Sequence, residues 1–480
     1  MLEICNGLFS EWNNSKVMYC HWKSNEHLDA GLDGLTDLDV LISPASYGKG
    51  VEILYNLDFL KCKSQFGSRY PDVEDWLGFD KNTGSLIHVH LHQNLVTGHT
   101  GMKEYNLPWT KDALETRILD SGSGVYVMEP NLEFLTLYSR IGLKVSFRSL
   151  IKMALGTYRI SKDTKREIDW LRLRVDWHKV EGLVEHYFGK YSKSVLQMMD
   201  SDTLGSKQVK ELMHICESNF EKDCRVKSHR RIKEIYYFTT VKYVNRWRRK
   251  LNRVVILKKI PETHGLSIAF MGQDGAGKTT VTNDIRKWLS WKLDVNYSYL
   301  GSGDNYSSLL KTVVHLTPRV GPFGYIKKLL GEWMYYGLSK DVLSAVKRGK
   351  AYAKAGGVQI FDRFPQTEYA GINDGPKIRS MAGNQRFLGG IVSFLADIEE
   401  ENLKRVYEYQ PDVVFKLLIS PEESVRRKHE NTLEEMELKH NIVKSIKFPN
   451  ACVYEIDASK PYCEEILEIK SKIWLHILKS

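Results

Sequence analysis

The chain reads as α/β throughout, assembled from two different parts, and three observations predict this. Residues 262–480 alternate apolar, strand-like runs with segments of helical period, the pattern of a parallel sheet flanked by helices. At the head of that half the apolar run Leu266–Met271 enters a glycine-rich turn. Behind the turn, Val281, Ile285, Leu289 and Leu293 recur at helical spacing. Far upstream, Asp37 and Asp39 flank Leu38 on one alternating run, and His88, His90 and His92 alternate with aliphatic residues on another. Those runs predict an α+β part at the N-terminus.

The elements follow in order. Residues 1–105 mix strand and helix signals, punctuated by turn residues at Gly31, Gly34 and Asn82–Gly84. Residues 110–224 form a mainly helical extension, with one helix opening at Pro130. The expected boundaries are 1–224 for the first domain, 225–261 for a basic amphipathic helical linker and 262–480 for the second domain.

A length of 480 residues exceeds one ordinary core, and 42% hydrophobic with 11% aromatic residues is the composition of folded domains. No apolar run approaches a membrane span; Leu388–Ala396 is far too short. The first residues, Met1–Gly7, lack a basic leader and a long apolar stretch, so no secretory signal is expected. Seven cysteines without C-x-x-C spacing point to reduced thiols and a cytoplasmic protein, not to disulfides or structural zinc.

The net charge of +10 is concentrated. Between Arg225 and Lys259 stand thirteen Lys or Arg and one acid, Glu234, which leaves about −2 for everything else. Tyr236, Tyr237, Tyr243 and Trp247 interleave with these cations. Three readings compete: a solvated linker helix, peripheral attachment to an anionic inner-membrane face, and contact with nucleic-acid phosphates.

Residues 272–280 read Gly-Gln-Asp-Gly-Ala-Gly-Lys-Thr-Thr, the pattern G-x-x-x-x-G-K-[ST] between a strand and a helix. Backbone N–H groups across Gly272, Asp274, Gly275, Ala276, Gly277 and Thr280 are suited to cradle phosphate oxygens. Lys278 would reach the terminal phosphates and Thr279 would hold magnesium, so ATP and Mg2+ are the expected cofactors. A second block, Gly357–Phe364, ends a strand on Asp362 and Arg363. The acid suits the metal or its waters, and the guanidinium suits a second phosphoryl group. A third block, Gln410–Lys428, ends a strand at Ile419. Ser420, Pro421 and Glu423 then supply an N-cap, a first-turn proline and a capping-box acid. Its helix delivers Arg426, Arg427 and Lys428.

These three blocks resemble the thymidylate kinase family of P-loop nucleoside monophosphate kinases, as does the final Tyr454–Ala458 run with the helix after it. The resemblance covers roughly residues 262–480. It implies a kinase in which Asp274 faces the acceptor's sugar hydroxyl, Arg363 its phosphate, and Arg427 or a neighbour the transferring group. Each role has a plainer rival: loop amides for Asp274, a structural ion pair for Asp362 and Arg363, a solvated face for the arginine run. The residues with which family members hold thymine do not map onto Tyr299–Tyr306 or Tyr325–Tyr336. A nucleotide or a sugar phosphate therefore stays open as acceptor.

In the N-terminal half, Asp37 and Asp39 follow a glycine turn and point to one face of a strand, as a two-metal nucleotidyl-transfer site requires. This resembles the Gly…Asp-x-Asp motif of the nucleotidyltransferase superfamily, in particular a divergent bacterial group with a histidine-rich strand. No third carboxylate stands out, and His88 or His90 is expected in its place; imidazole suits manganese or zinc better than magnesium. A fusion of these two halves resembles proteins of bacterial surface-polysaccharide loci, which implies a sugar- or glycan-linked acceptor as the alternative to thymidylate. A non-catalytic nucleotide sensor is the third possibility.

Overall fold

The computed structural model describes residues 1–65, 70, 72–201, 203–226, 228–301, 322–370, 374–381, 389–427 and 432–479. The chain divides into two compact units, Met1–Trp247 and Arg248–Ser480, and the division falls inside the helix Ser228–Lys250. On that helix Tyr236, Tyr243 and Trp247 are exposed.

The N-terminal unit is built on a mixed sheet. Its strands run in the order Leu60–Lys63, Val73–Phe79, Leu86–His92, Leu38–Ile42, Tyr19–His21, Tyr126–Val127, Ile118–Leu119. Leu38–Ile42 and Leu86–His92 are parallel neighbours, and Val73–Phe79 pairs antiparallel with Leu86–His92. Alternation divides the faces. Leu38, Val40, Ile42, Ile87, Val89 and Leu91 join the helix Glu3–Asn14 in one core through Leu8, Phe9 and Trp12. Asp39 and the three histidines take the opposite side.

The helical extension packs around Pro130–Leu143, whose N-terminus is capped by Glu129 accepting from the amides of Asn131 and Leu132. Leu135, Tyr138, Val184, Leu212 and Cys216 are among its fully buried residues. Two short strands, Ile118–Leu119 and Tyr126–Val127, interrupt the stretch expected to be mainly helical. The Ser121–Gly124 turn between them folds a hairpin back to complete the sheet edge.

The C-terminal unit holds a wholly parallel sheet ordered Val295–Tyr299, Val358–Asp362, Leu266–Gly272, Val413–Leu418, Cys452–Asp457. The first strand in sequence is thus central, and connections leave it on both sides. Ala269, Met271, Phe361 and Val414 pack on one face against Val342, Val346, Val406 and Ile442. On the other face Phe270 stacks on Phe415 with ring centres 5.2 Å apart. Val281, Ile285 and Leu289 are buried on the helix Lys278–Ser290. Leu293, expected on the same helix, is buried beyond its end, because the chain turns at Trp291–Lys292 to enter the next strand.

Among the described residues no helix is long and apolar enough to cross a membrane.

Candidate active site

In an open parallel sheet, ligands bind beyond the carboxyl ends of strands where the connections diverge. The central strand Leu266–Gly272 ends at that point, and the loop 273–277 leads from it into the helix starting at Lys278. The glycines are required by geometry. Gly275 and Gly277 have φ of 81° and 77°, where a side chain would cost roughly 1–2 kcal/mol. A Cβ on Gly272 would lie 2.7 Å from the Leu417 carbonyl oxygen of the adjacent strand.

Lys278 is buried and folds its ammonium back onto the loop, donating to the carbonyls of Gly272 (2.8 Å) and Gln273 (2.7 Å). Burial, then the nearby Arg363 cation, lower its pKa to about 8. Thr279 and Thr280 are exposed on the first turn of the helix. Ala276 is buried, and its amide donates to the Gln273 carbonyl at 3.3 Å.

Asp362 ends the neighbouring strand, in register with Phe270 of the central one. It is fully buried. One oxygen, Oδ2, accepts from Tyr297 Oη at 2.8 Å and Thr282 Oγ1 at 3.3 Å, while Oδ1 has no hydrogen-bond partner among the described residues. A buried carboxylate oxygen left without a donor is costly unless something cationic or protic meets it. A carboxylate oxygen and the Thr279 hydroxyl are both hard oxygen donors of the kind Mg2+ takes, so the residue types present fit that ion.

Arg363 follows with φ of 66°, a sparsely populated conformation for a side-chain-bearing residue. Its guanidinium lies 3.7 Å from Asp374 and 5.6 Å from the ring centre of Tyr299, and its Nε is buried without a partner among the described residues. Asp274 pairs with Lys439 at 2.9 Å. Arg427 donates to the Gly275 carbonyl (3.4 Å) and the Ala458 carbonyl (3.2 Å) and pairs with Glu423 at 2.9 Å. The third block therefore reaches the phosphate loop by two routes, since Ser424 Oγ also donates to the Asp274 carbonyl at 2.5 Å.

The expected capping box is only half made. Ser420 Oγ accepts from the Glu423 amide at 3.2 Å, but the Glu423 carboxylate is taken by Arg426 and Arg427. Lys428, residues 302–306 of the Tyr299–Tyr306 interval and Leu388 lie outside the described residues, as do the side chains of Tyr325–Lys328. Thr282, Tyr297, Asp374, Ser424 and Lys439 escaped the sequence reading. Thr282 alone carried a signal, lying one turn beyond Lys278 on the face that meets the strands.

A second constellation lies in the N-terminal unit. Asp39 pairs in register with His90 on one side, and Asp75 faces His90 on the other. His90 Nδ1 lies 3.2 Å from Asp39, and its Nε2 lies 3.2 Å from Asp75. His88 joins Asp37 (2.8 Å) to Asp75 (3.1 Å), and His92 meets Asp39 at 3.2 Å. Lys23 lies 2.8 Å from Asp39. Potential ligand atoms of Asp37, His88 and His90 lie within 4.8 Å of one another, as do those of Asp39, His90 and His92.

Asp75 corrects the expectation that no third carboxylate stands beside the pair. The hairpin register across Asp80–Ser85 sets Phe79 opposite Leu86 and hence Asp75 opposite His90. Electrostatics hold the cluster in distinct states. Burial pushes His92 down to about 3. Burial opposes charge on His90 too, but Asp39 and Asp75 raise its pKa. Burial likewise opposes ionisation of Asp39, yet Lys23, His90 and His92 hold its carboxyl well below the usual range.

Fold and site together define a mixed α/β protein with a strand–phosphate-loop–helix unit and a separate carboxylate–imidazole cluster. No family model matches the chain. It is 29% identical over 219 residues, 43% of this chain and 85% of the relative, to the uncharacterized ATP-binding protein YghR of Escherichia coli. It is 25% identical over 226 residues, 42% of this chain and 89% of the relative, to the uncharacterized ATP-binding protein YghS of the same species. Among solved structures, deoxyadenosine kinase from M. mycoides with bound dATP is similar at 17% identity and a TM-score of 0.27. That match covers 43% of this chain and 98% of the kinase.

Proposed function

We propose that the C-terminal unit is an ATP- and Mg2+-dependent phosphotransferase of the nucleoside monophosphate kinase type, with thymidylate as the leading acceptor. The observation that carries this reading is the buried Asp362, whose Oδ1 has no partner among the described residues at the strand end beside the phosphate loop. The E. coli relatives are described as ATP-binding proteins, which supports ATP as the donor.

In this reading the loop amides from Gly272 to Thr280 bind the donor phosphates, and Lys278 exchanges its two carbonyl partners for phosphate oxygens. Mg2+, when bound, neutralises charge between the donor phosphates. Asp362 and Thr279 are the residues that would hold it. Arg363, fixed by Asp374 and stacked near Tyr299, orients the acceptor phosphate as a bidentate donor. Asp274 addresses the acceptor sugar when Lys439 releases it, and Arg427 steadies the loop while offering charge to the transferring group. Such chemistry relies on positioning and charge, not on a covalent intermediate.

One observation favours a second activity in the same chain: three carboxylates, Asp37, Asp39 and Asp75, converge through shared imidazoles in the N-terminal unit. That supports the alternative of a bifunctional kinase and nucleotidyltransferase serving a sugar or glycan.

Chromatographic separation of products from labelled ATP, offered nucleoside monophosphates and sugars in turn, tests the reading. Label on thymidylate supports it. Label on a sugar alone supports the alternative, and binding without transfer to anything leaves a nucleotide sensor.

A further inference from the structure

The helical extension contains a cleft of about 320 Å³. Its basic residues come from three segments. Arg140 belongs to the helix Pro130–Leu143 and Lys144 stands just past its end; Lys152 belongs to Phe147–Ala154; Arg159 lies in the loop that follows. Four basic side chains thus line the cleft with one carboxylate among the described residues, Glu167, and burial, then the Arg140 and Lys23 cations, hold the Lys144 amine well below its usual pKa.

That carboxylate is already committed. It accepts from Arg140 Nη1 at 3.0 Å, from the Ser24 amide at 3.1 Å and from Ser24 Oγ at 3.2 Å. Arg140 Nε is buried with no partner among the described residues. Among the described residues, no ion pair ties Lys144, Lys152 or Arg159 to an acid. Basic side chains gathered along one concave site leave like charges near each other, which an anion relieves.

Two helix N-termini add to the same field. Ser149 stands in the first turn of Phe147–Ala154. Ser161 caps Lys162–Arg172 by accepting from the Thr164 amide at 3.0 Å, and both Ser161 and Thr164 line the cleft. Hydroxyls beside guanidinium and ammonium groups are the donor set that phosphate oxygens need. The basic side chains are spread over three segments lining a cleft larger than one orthophosphate fills, so the fitting ligand carries several phosphates in a chain.

We infer that this cleft, lined by Arg140, Lys144, Lys152 and Arg159, is a binding site for a linear phosphate chain, free or carried by a nucleotide. The site is independent of the phosphate loop and rests on neither activity proposed above. It adjoins the carboxylate–imidazole cluster through the chain itself: Ser24, bonded to Glu167, directly follows Lys23, which pairs with Asp39.

Calorimetric titration of the full chain with tripolyphosphate tests this, with Lys278→Ala introduced to remove the phosphate-loop contribution. The Lys278→Ala chain is expected to keep one tripolyphosphate site. Adding Lys152→Glu and Arg159→Glu, both at exposed positions, is expected to weaken that site at least tenfold. The milder Lys152→Ala and Arg159→Ala pair, checked for folding by circular dichroism, should weaken it in the same direction. Titration with ATP and with AMP separates the sources. Equal binding of ATP and tripolyphosphate marks recognition of the chain alone, and tighter ATP binding marks a nucleotide-borne chain. Loss of all tripolyphosphate binding in Lys278→Ala, or affinity unmoved by the cleft substitutions, overturns the inference.

Discussion

Asp75 faces His90 across an antiparallel strand pair, with Oδ1 3.2 Å from Nε2, while Asp39 holds the other nitrogen of the same ring at 3.2 Å. One imidazole thus links carboxylates from the strands on either side of its own.

If the cluster takes a divalent ion, Asp75 governs it either directly or by orienting His88 and His90. Removing such a partner typically costs 10–100-fold in metal affinity. Manganese titration followed by electron paramagnetic resonance should therefore show Asp75→Asn weakened by about that factor and Asp39→Asn weakened more. Affinity unchanged in Asp75→Asn would remove the carboxylate from any metal role.

Nucleotide binding should take up a proton in mildly alkaline solution. Lys278 titrates at about 8 in the free chain, because burial and Arg363 disfavour its charge. A phosphate anion favours the charged form and raises that value. Binding above pH 8 then draws a proton from solvent, and affinity falls as pH climbs. Calorimetry at pH 8.5 in buffers of different ionisation enthalpy should return an uptake that Lys278→Met abolishes. Uptake that persists in the variant would assign the proton elsewhere.

Glu133 makes a stability prediction for the N-terminal unit. It is buried, accepts from the Asn25 amide (3.0 Å) and Nδ2 (2.8 Å), and is raised from 4.5 to about 7, chiefly by burial. Between those values the folded chain keeps a proton that the unfolded chain has lost. This group's stabilisation is therefore complete below about 4.5 and declines as pH rises through 7. The span is on the order of 3 kcal/mol at 1.36 kcal/mol per unit. Urea unfolding from pH 5 to 8 should show a shallower decline for Glu133→Gln than for the parent. Parallel curves would mean that Glu133 is ionised in both states.

The sequence made the phosphate loop legible because its spacing is enforced by backbone geometry: Gly275 and Gly277 need positive φ, and Gly272 lies against the Leu417 carbonyl. Strand alternation likewise made the Asp39–histidine face readable, since apolar Leu38, Val40, Ile87 and Val89 leave the other side to polar groups. What escaped depends on contacts between distant segments. Tyr297 and Thr282 meet Asp362 only once three elements are packed, and Lys439 reaches Asp274 from a helix 165 residues away. Asp75 was a matter of register, and Glu423 chose arginines over its own helix end, a competition that local sequence does not decide.

The most direct test is ADP release from Mg-ATP by the full chain, with and without thymidylate, compared with Lys278→Ala. Acceptor-dependent turnover in the parent, reduced about 100-fold or more in the variant, is the predicted result. Turnover equal in the two proteins would contradict phosphoryl transfer at this loop.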